Sequence, residues 1–169
     1  MLFRSKSVHS TDGVEFVPAL TGLGAPYWLA EARGMITGLT RGSTKAHIAR
    51  ATLEAMALQN CDILFCMQKD LGKKLKSLKV DGGAVANNFL MQLQADYMGM
   101  NVTRPKMIET TAVGAAYLAG LGVGFWKSKK EIQKIWQKDC DFKSQMTNKN
   151  RQERIHHWHQ AITQVKSVF

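Results

Sequence analysis

Cysteine, acidic residues and long apolar runs are all scarce in this chain of 169 residues, and each scarcity excludes something. Cys61, Cys66 and Cys140 are too few, and odd in number, for a disulfide framework; a reducing compartment fits them. Cys61 and Cys66 stand five apart, a poor spacing for zinc, and read as small apolar residues of a helix. The longest uncharged apolar run, Ala112 to Trp126, falls short of the roughly 18–20 residues that span a bilayer. Its Gly and Ala content reads as a buried, close-packed helix leading into a turn. No apolar stretch follows Met1-Leu2-Phe3-Arg4, so no secretory signal is expected.

Acids number 13 against 23 Lys and Arg, a net charge of +10 that suits an anionic partner: nucleic acid, a membrane surface or a phosphate-bearing small molecule. Residues 127–169 hold ten of the basic residues and four acids, which reads as a solvated basic face. With 45% hydrophobic and 21% charged residues, the composition is that of one soluble globular domain. A disordered tail, a collagen-like chain and a coiled coil are excluded.

The polar start, residues 1–13, reads as a frayed segment. Val14-Glu15-Phe16-Val17 alternates as a strand ended by Pro18, and a Gly/Pro loop follows through Gly22-Leu23-Gly24 to Pro26. Gly34 to Leu39 reads as a second strand. Ser43 or Thr44 caps a helix from about Lys45 to Leu71, stopped by Gly72. Lys74 to Val80 reads as a strand, and helix resumes near Asn87 or Asn88 and runs to Met98. A short strand around Val102 follows, then a helix from Thr110 or Thr111, in which Gly114, Ala115, Ala116, Ala119 and Gly120 allow tight packing. Ser128 and Glu131 form a capping box. Residues 139–150 read as a polar loop holding Asp139 and Asp141. Ile155, Trp158, Ile162, Val165 and Phe169 form one stripe of a last helix. Strands separated by helices indicate an α/β layer fold, although four strands are thin for a complete sheet.

Chemistry concentrates at Asp81-Gly82-Gly83-Ala84-Val85-Ala86-Asn87-Asn88, where a strand gives way to a helix. Glycine lets a ligand approach the backbone closely, and a helix start offers free N–H groups that suit phosphate. Asn87 can cap that helix or turn its amide to a ligand sugar or base. The stretch is neither Gly-x-x-x-x-Gly-Lys-Ser nor Gly-x-Gly-x-x-Gly, so a plain turn stands beside the nucleotide reading. His156, His157 and His159 read as solvated residues of a basic helix. No nucleophile–base arrangement stands out, and neither a catalytic nor a metal residue is assigned.

Three blocks then resemble the C-terminal part of the glycerol kinases, within the FGGY carbohydrate kinase family. They are Val17-Pro18-Ala19-Leu20-Thr21-Gly22-Leu23-Gly24-Ala25-Pro26-Tyr27-Trp28; Gly34-x-Ile36-x-Gly38-Leu39 with His47-Ile48-x-x-Ala51-Thr52-Leu53-Glu54; and Asp81 to Gln92 with Glu109 to Gly120. Leu29-Ala30 stands where the family usually has Asp-Pro.

The resemblance implies an α/β fold: an incomplete ribonuclease-H-like lobe of the actin/hexokinase ATPase type, the second domain of a two-lobed kinase. Residues 14–169 are then the FGGY C-terminal domain without the lobe's first strands. The implied activity is cytoplasmic transfer of the γ-phosphoryl of ATP, with Mg2+, to glycerol. Gly83 would approach the phosphates through its backbone, and Asn87 would reach the adenosine through its side chain. The metal is not held by residues identifiable here. Glycerol would be bound only through an N-terminal portion that lies upstream of Val14 in the family, and a separate N-terminal chain is a partner this implies. The alternatives are a catalytically dead remnant, a kinase for another polyol or sugar, and a basic nucleic-acid-binding module. The last is not favoured, because few aromatics interleave with the basic residues.

Overall fold

A computed structural model describes residues 5–168. Its longest element, α1 (Lys45–Leu71), starts where the sequence supplies a complete cap. The Thr44 hydroxyl accepts from the Ala46 N–H, and the His47 ring nitrogen accepts from the Thr44 N–H at 3.0 Å. Its interior is dense in Ala, Leu, Met and Gln, which lose little freedom in a helix. Gly72 ends it at φ 62°, donating to the last carbonyls.

Strand β1 (Glu15–Val17) pairs antiparallel with β2 (Met35–Thr37), with Phe16 opposite Ile36. This ribbon packs on α1 and on α5 (Asn148–Val168). Gly38 is obligatory here: it sits at φ 75°, and a Cβ on it would lie 1.9 Å from the Gly13 carbonyl oxygen. The second sheet has the order β3 (Ser77–Lys79), β4 (Asn101–Pro105), β5 (Lys138–Phe142). β3 and β4 run parallel, joined through a 3-10 turn (Gly83–Ala86) and α2 (Asn88–Met98); β5 returns antiparallel. The helices α3 (Thr110–Gly122) and α4 (Lys129–Ile135) lie between β4 and β5 in the chain.

The core lies among α1, α2, α5 and the two sheets. Ile155, Trp158, Ile162 and Val165 are buried as their spacing indicates; Phe169 lies outside the described residues. Two charged clusters cross this core. Arg154 of α5 donates to Glu54 of α1 at 2.7 Å and to Glu15 of β1 at 2.9 Å, while Arg50 bonds Glu54 at 2.8 Å. Burial opposes the Arg154 charge, yet the two carboxylates hold its pKa above the ordinary range. Burial also raises the pKa of Glu15, against the pull of Arg154. The buried Asp62 accepts from Tyr27, from Trp158 at 2.7 Å and bonds His159 at 2.8 Å.

Three expectations need correction. Residues 139–150 are not simply a polar loop, because β5 occupies Lys138–Phe142. Asp139 pairs there with Arg104, and Asp141 accepts from Thr103 and Lys138. α3 is not buried: none of its residues is, Leu118 is 69% exposed, and Phe125 in the turn after it is 75% exposed. Its only tight glycine approach is Gly120 against the Trp126 ring. Near the start of the described chain, Ser5 and Thr11 are buried, and Arg50 donates to the Val8 carbonyl at 2.9 Å. His159 is not merely solvated, since Asp62 holds it. Among the described residues, no helix is long and apolar enough to cross a membrane.

Candidate functional site

The turn between β3 and α2 is built by three separate restraints. Gly82 adopts φ 88°, which admits glycine readily, and its N–H donates to the Ile108 carbonyl at 2.8 Å. Asp81 accepts a hydrogen bond from the Thr110 hydroxyl, tying the turn to the start of α3. Val85 is buried beneath it. The turn therefore lies at the carboxyl ends of two parallel strands, where open α/β sheets bind ligands.

Gly83 and Asn87, the two residues singled out in the sequence, occupy opposite ends of the 3-10 turn. The turn displaces the helix start from the glycines: α2 begins after Asn87, whose Oδ1 accepts from the N–H groups of Phe89 at 3.0 Å and Leu90 at 3.2 Å. Asn87 is thus the N-cap, and its amide nitrogen is not used by the cap. Gly83 has a different character from Gly82. It is exposed, lacks a positive φ, and a Cβ added to it would meet nothing within 4 Å. Nothing in the fold of this chain demands glycine there, whereas a molecule approaching the backbone would.

Arg104 was not visible as a site residue. Its guanidinium donates to the Val85 carbonyl at 2.8 Å, to Asn88 Oδ1 at 2.7 Å and to Asp139 at 2.7 Å. It pins the glycine turn, the first turn of α2 and β5 to one another. No sequence signal marks it, because its partners lie 16 to 35 residues away. Arg50 and Lys6 stand over the ring of Phe89, at 5.1 Å and 5.9 Å from its centre, so cations flank the start of α2.

A cavity of about 850 Å3 does not include Gly83 or Asn87. It lies between α3, α4 and the end of β4, and Lys79, Lys106, Tyr117 and Trp136 line it. Lys79 sits 4.4 Å from the Trp136 ring centre. A smaller groove of about 320 Å3 borders the glycine turn at Asp81, Ala84 and Val85. Among the described residues, no group of three His, Cys, Asp or Glu side chains could hold a metal ion.

Residues 1–123 match the FGGY family of carbohydrate kinases, C-terminal domain. The chain is 66% identical over 161 residues to a glycerol kinase of Bdellovibrio bacteriovorus, covering 95% of this chain and 32% of that protein. A glycerol kinase of Deinococcus radiodurans is 54% identical over 162 residues, 96% of this chain and 32% of its own length. The fold is similar to a crystal structure of Plasmodium falciparum glycerol kinase with ADP: TM-score 0.86, 35% identity, 97% of this chain and 33% of that one. A xylulose kinase of Rhodospirillum rubrum shares the fold, with TM-score 0.77 at 20% identity, 99% of this chain and 34% of that one. The chain thus spans about a third of the length of the relatives it matches.

Proposed function

Since this chain belongs to the FGGY family of carbohydrate kinases as its C-terminal domain, and has the family's ribonuclease-H-like α/β lobe, we propose that it supplies one wall of the nucleotide site of an ATP-dependent glycerol kinase. The reaction is transfer of the γ-phosphoryl of ATP to glycerol in the cytoplasm. The observation that carries this reading is Gly83: an exposed glycine that the fold itself does not require, next to a helix start and flanked by cations. The relatives that match along nearly the whole chain support it, being glycerol kinases, one of them solved with ADP.

The phosphates pass over the Gly83 backbone, and the free amide nitrogen of Asn87 faces the nucleoside. Arg104 acts through Val85 and Asn88 to hold both in place. Phosphoryl transfer needs positioning, a metal that neutralises charge and a placed base. Among the described residues no group of His, Cys, Asp or Glu side chains could hold a metal ion; Mg2+ bound with the nucleotide would supply charge neutralisation at the phosphates. Asp81 is engaged by Thr110 and is not offered as the base. Glycerol and the base belong to a preceding portion of about two thirds of a kinase polypeptide.

A remnant without nucleotide binding is the competing reading, and one experiment separates the two. Thermal unfolding is followed with and without Mg-ADP, for the chain alone and for the chain coexpressed with the preceding part of the Bdellovibrio glycerol kinase. Saturating ADP raises Tm by roughly 5 °C. Gly83→Val abolishes the shift and leaves the ligand-free Tm nearly unchanged, because a Cβ at this exposed position meets nothing within 4 Å. Absence of any shift in both samples, or a full shift in Gly83→Val, overturns the proposal.

A further inference from the structure

The glycine turn is held from two sides, and the function proposed above draws on only one of them. Arg104 grips the side that leads into α2, through Val85 and Asn88. The foot of α3 holds the other side. The Gly82 N–H donates to the Ile108 carbonyl at 2.8 Å, and the Thr110 hydroxyl donates to Asp81 Oδ2. α3 starts without a side-chain cap, since Glu109 at its cap position makes no such bond. Thr110, the first residue of the helix, sends its hydroxyl to the turn instead. Asp81 is out of keeping with a site for phosphates. It stands two residues before Gly83, is exposed, and forms no ion pair among the described residues. Lys79, the lysine nearest to it in sequence, sits 4.4 Å from the Trp136 ring centre. The space over the turn is open: a Cβ on Gly82 or on Gly83 would meet nothing within 4 Å. A carboxylate released from Thr110 has room to swing across the space that the phosphates would take, where like charges repel.

We propose that Thr110 is a positioning residue of the nucleotide site: its hydroxyl ties the Asp81 carboxylate to the foot of α3 and so keeps a negative charge off the path of the phosphates over Gly83. This rests on the nucleotide reading above. Thr110 acts through Asp81 and not by contact with the nucleotide. The same bond, with that of Gly82 to Ile108, fixes the backbone of the turn from the side opposite Arg104. A carboxylate that accepts a hydroxyl proton is turned toward its donor, so the bond sets the direction of the charge as well as satisfying it. The repulsion avoided is electrostatic, so it acts on a charged ligand and is screened by salt. A role confined to folding would have neither property. The effect therefore separates ADP from adenosine, which share a nucleoside and differ in the phosphates.

The test uses the chain alone and the chain coexpressed with the preceding part of the Bdellovibrio glycerol kinase. Binding of ADP and of adenosine is measured by isothermal titration calorimetry at low and high salt. Thr110→Val keeps the shape and removes the hydroxyl, Thr110→Ser keeps the hydroxyl, and Asp81→Asn removes the charge. Circular dichroism melts report whether each variant folds as the parent does. Thr110→Val is expected to weaken ADP roughly tenfold at low salt, to recover much of that loss at high salt, and to change adenosine by less than about twofold. Thr110→Ser binds ADP as the parent does. Asp81→Asn binds ADP at least as tightly as the parent, and in its background Thr110→Val costs less than about threefold. A Thr110→Val chain that binds ADP as the parent does overturns the proposal. So does an equal loss for ADP and adenosine, the mark of a turn that is merely disordered. Weaker ADP binding by Asp81→Asn alone also overturns it, because the carboxylate would then serve the nucleotide directly. A parent that binds no ADP in either sample defeats the nucleotide reading, and the role of Thr110 falls with it. A parent that binds ADP while Thr110→Val is indifferent defeats this inference alone.

Discussion

α1 and α3 reverse the usual relation between composition and burial. α1 carries Lys, Arg, Glu and Asp, yet ten of its residues are buried, including Glu54 and Asp62. α3 has no charged residue, yet none of its residues is buried. The difference lies in what the chain brings to each helix. α1 meets β1, α2 and α5, which supply both apolar contacts and the partners its carboxylates need. α3 is tied to the glycine turn through Thr110, meets its own turn at Trp126 and lines the rim of a cavity, and none of these contacts buries it. Composition records what a helix is suited to touch, and packing records what is there to be touched.

The largest expected effect tests the α1 side of this contrast. Arg154→Ala leaves Glu54 and Glu15 buried without their shared cation, and should cost roughly 3–5 kcal/mol in urea unfolding. A loss under about 1 kcal/mol would show that the ion cluster does not distinguish the packed half. A smaller effect concerns pH. The hydrogen bond to Asp62 raises the His159 pKa above its ordinary value near 6.5, against the opposing effect of burial. The folded state therefore binds that proton more tightly. The associated stability is fully present below about pH 6.5 and is lost as pH rises through the folded value. Calorimetry should show Tm falling on the alkaline side, with His159→Gln removing that slope; a slope that survives belongs to another group. The smallest effect is expected on α3. Leu118→Ser should change stability by no more than about 0.5 kcal/mol, since the side chain is 69% exposed. A loss near 2 kcal/mol would place α3 in a packed setting and erase the contrast.

The elements with local signals were legible in the sequence. Thr44 and Gly72 bound α1, and Asn87 and Gly99 bound α2, because caps are written in the residues that make them. Elements decided by distant contacts were not. Lys138-Asp139-Cys140-Asp141-Phe142 has one buried residue, and it becomes a strand through its ladder to β4. α3 misled in the opposite sense, because its apolar content has no local counterpart that would reveal a missing neighbour. The same division holds at the site. Gly83 and Asn87 stood out by type and position, whereas Arg104 acquires its role only when Asp139 is folded beside it. The FGGY-like signature around α1 also divides in this way. His47 completes a cap, Gly38 avoids a clash with Gly13, and Glu54 anchors the core cation, so these three positions carry structural work.

Arg104 has a practical consequence as a built-in reporter. Its Nε proton is committed to Asp139, while the same guanidinium holds the carbonyl of Val85 and the side chain of Asn88. Such a proton is shielded from exchange and gives a side-chain resonance set apart from those of solvated arginines. Its chemical shift senses both sides of the glycine turn at once. Heteronuclear NMR of isotope-enriched protein can therefore read the arrival of a ligand at this turn from one native residue, with no dye or engineered probe.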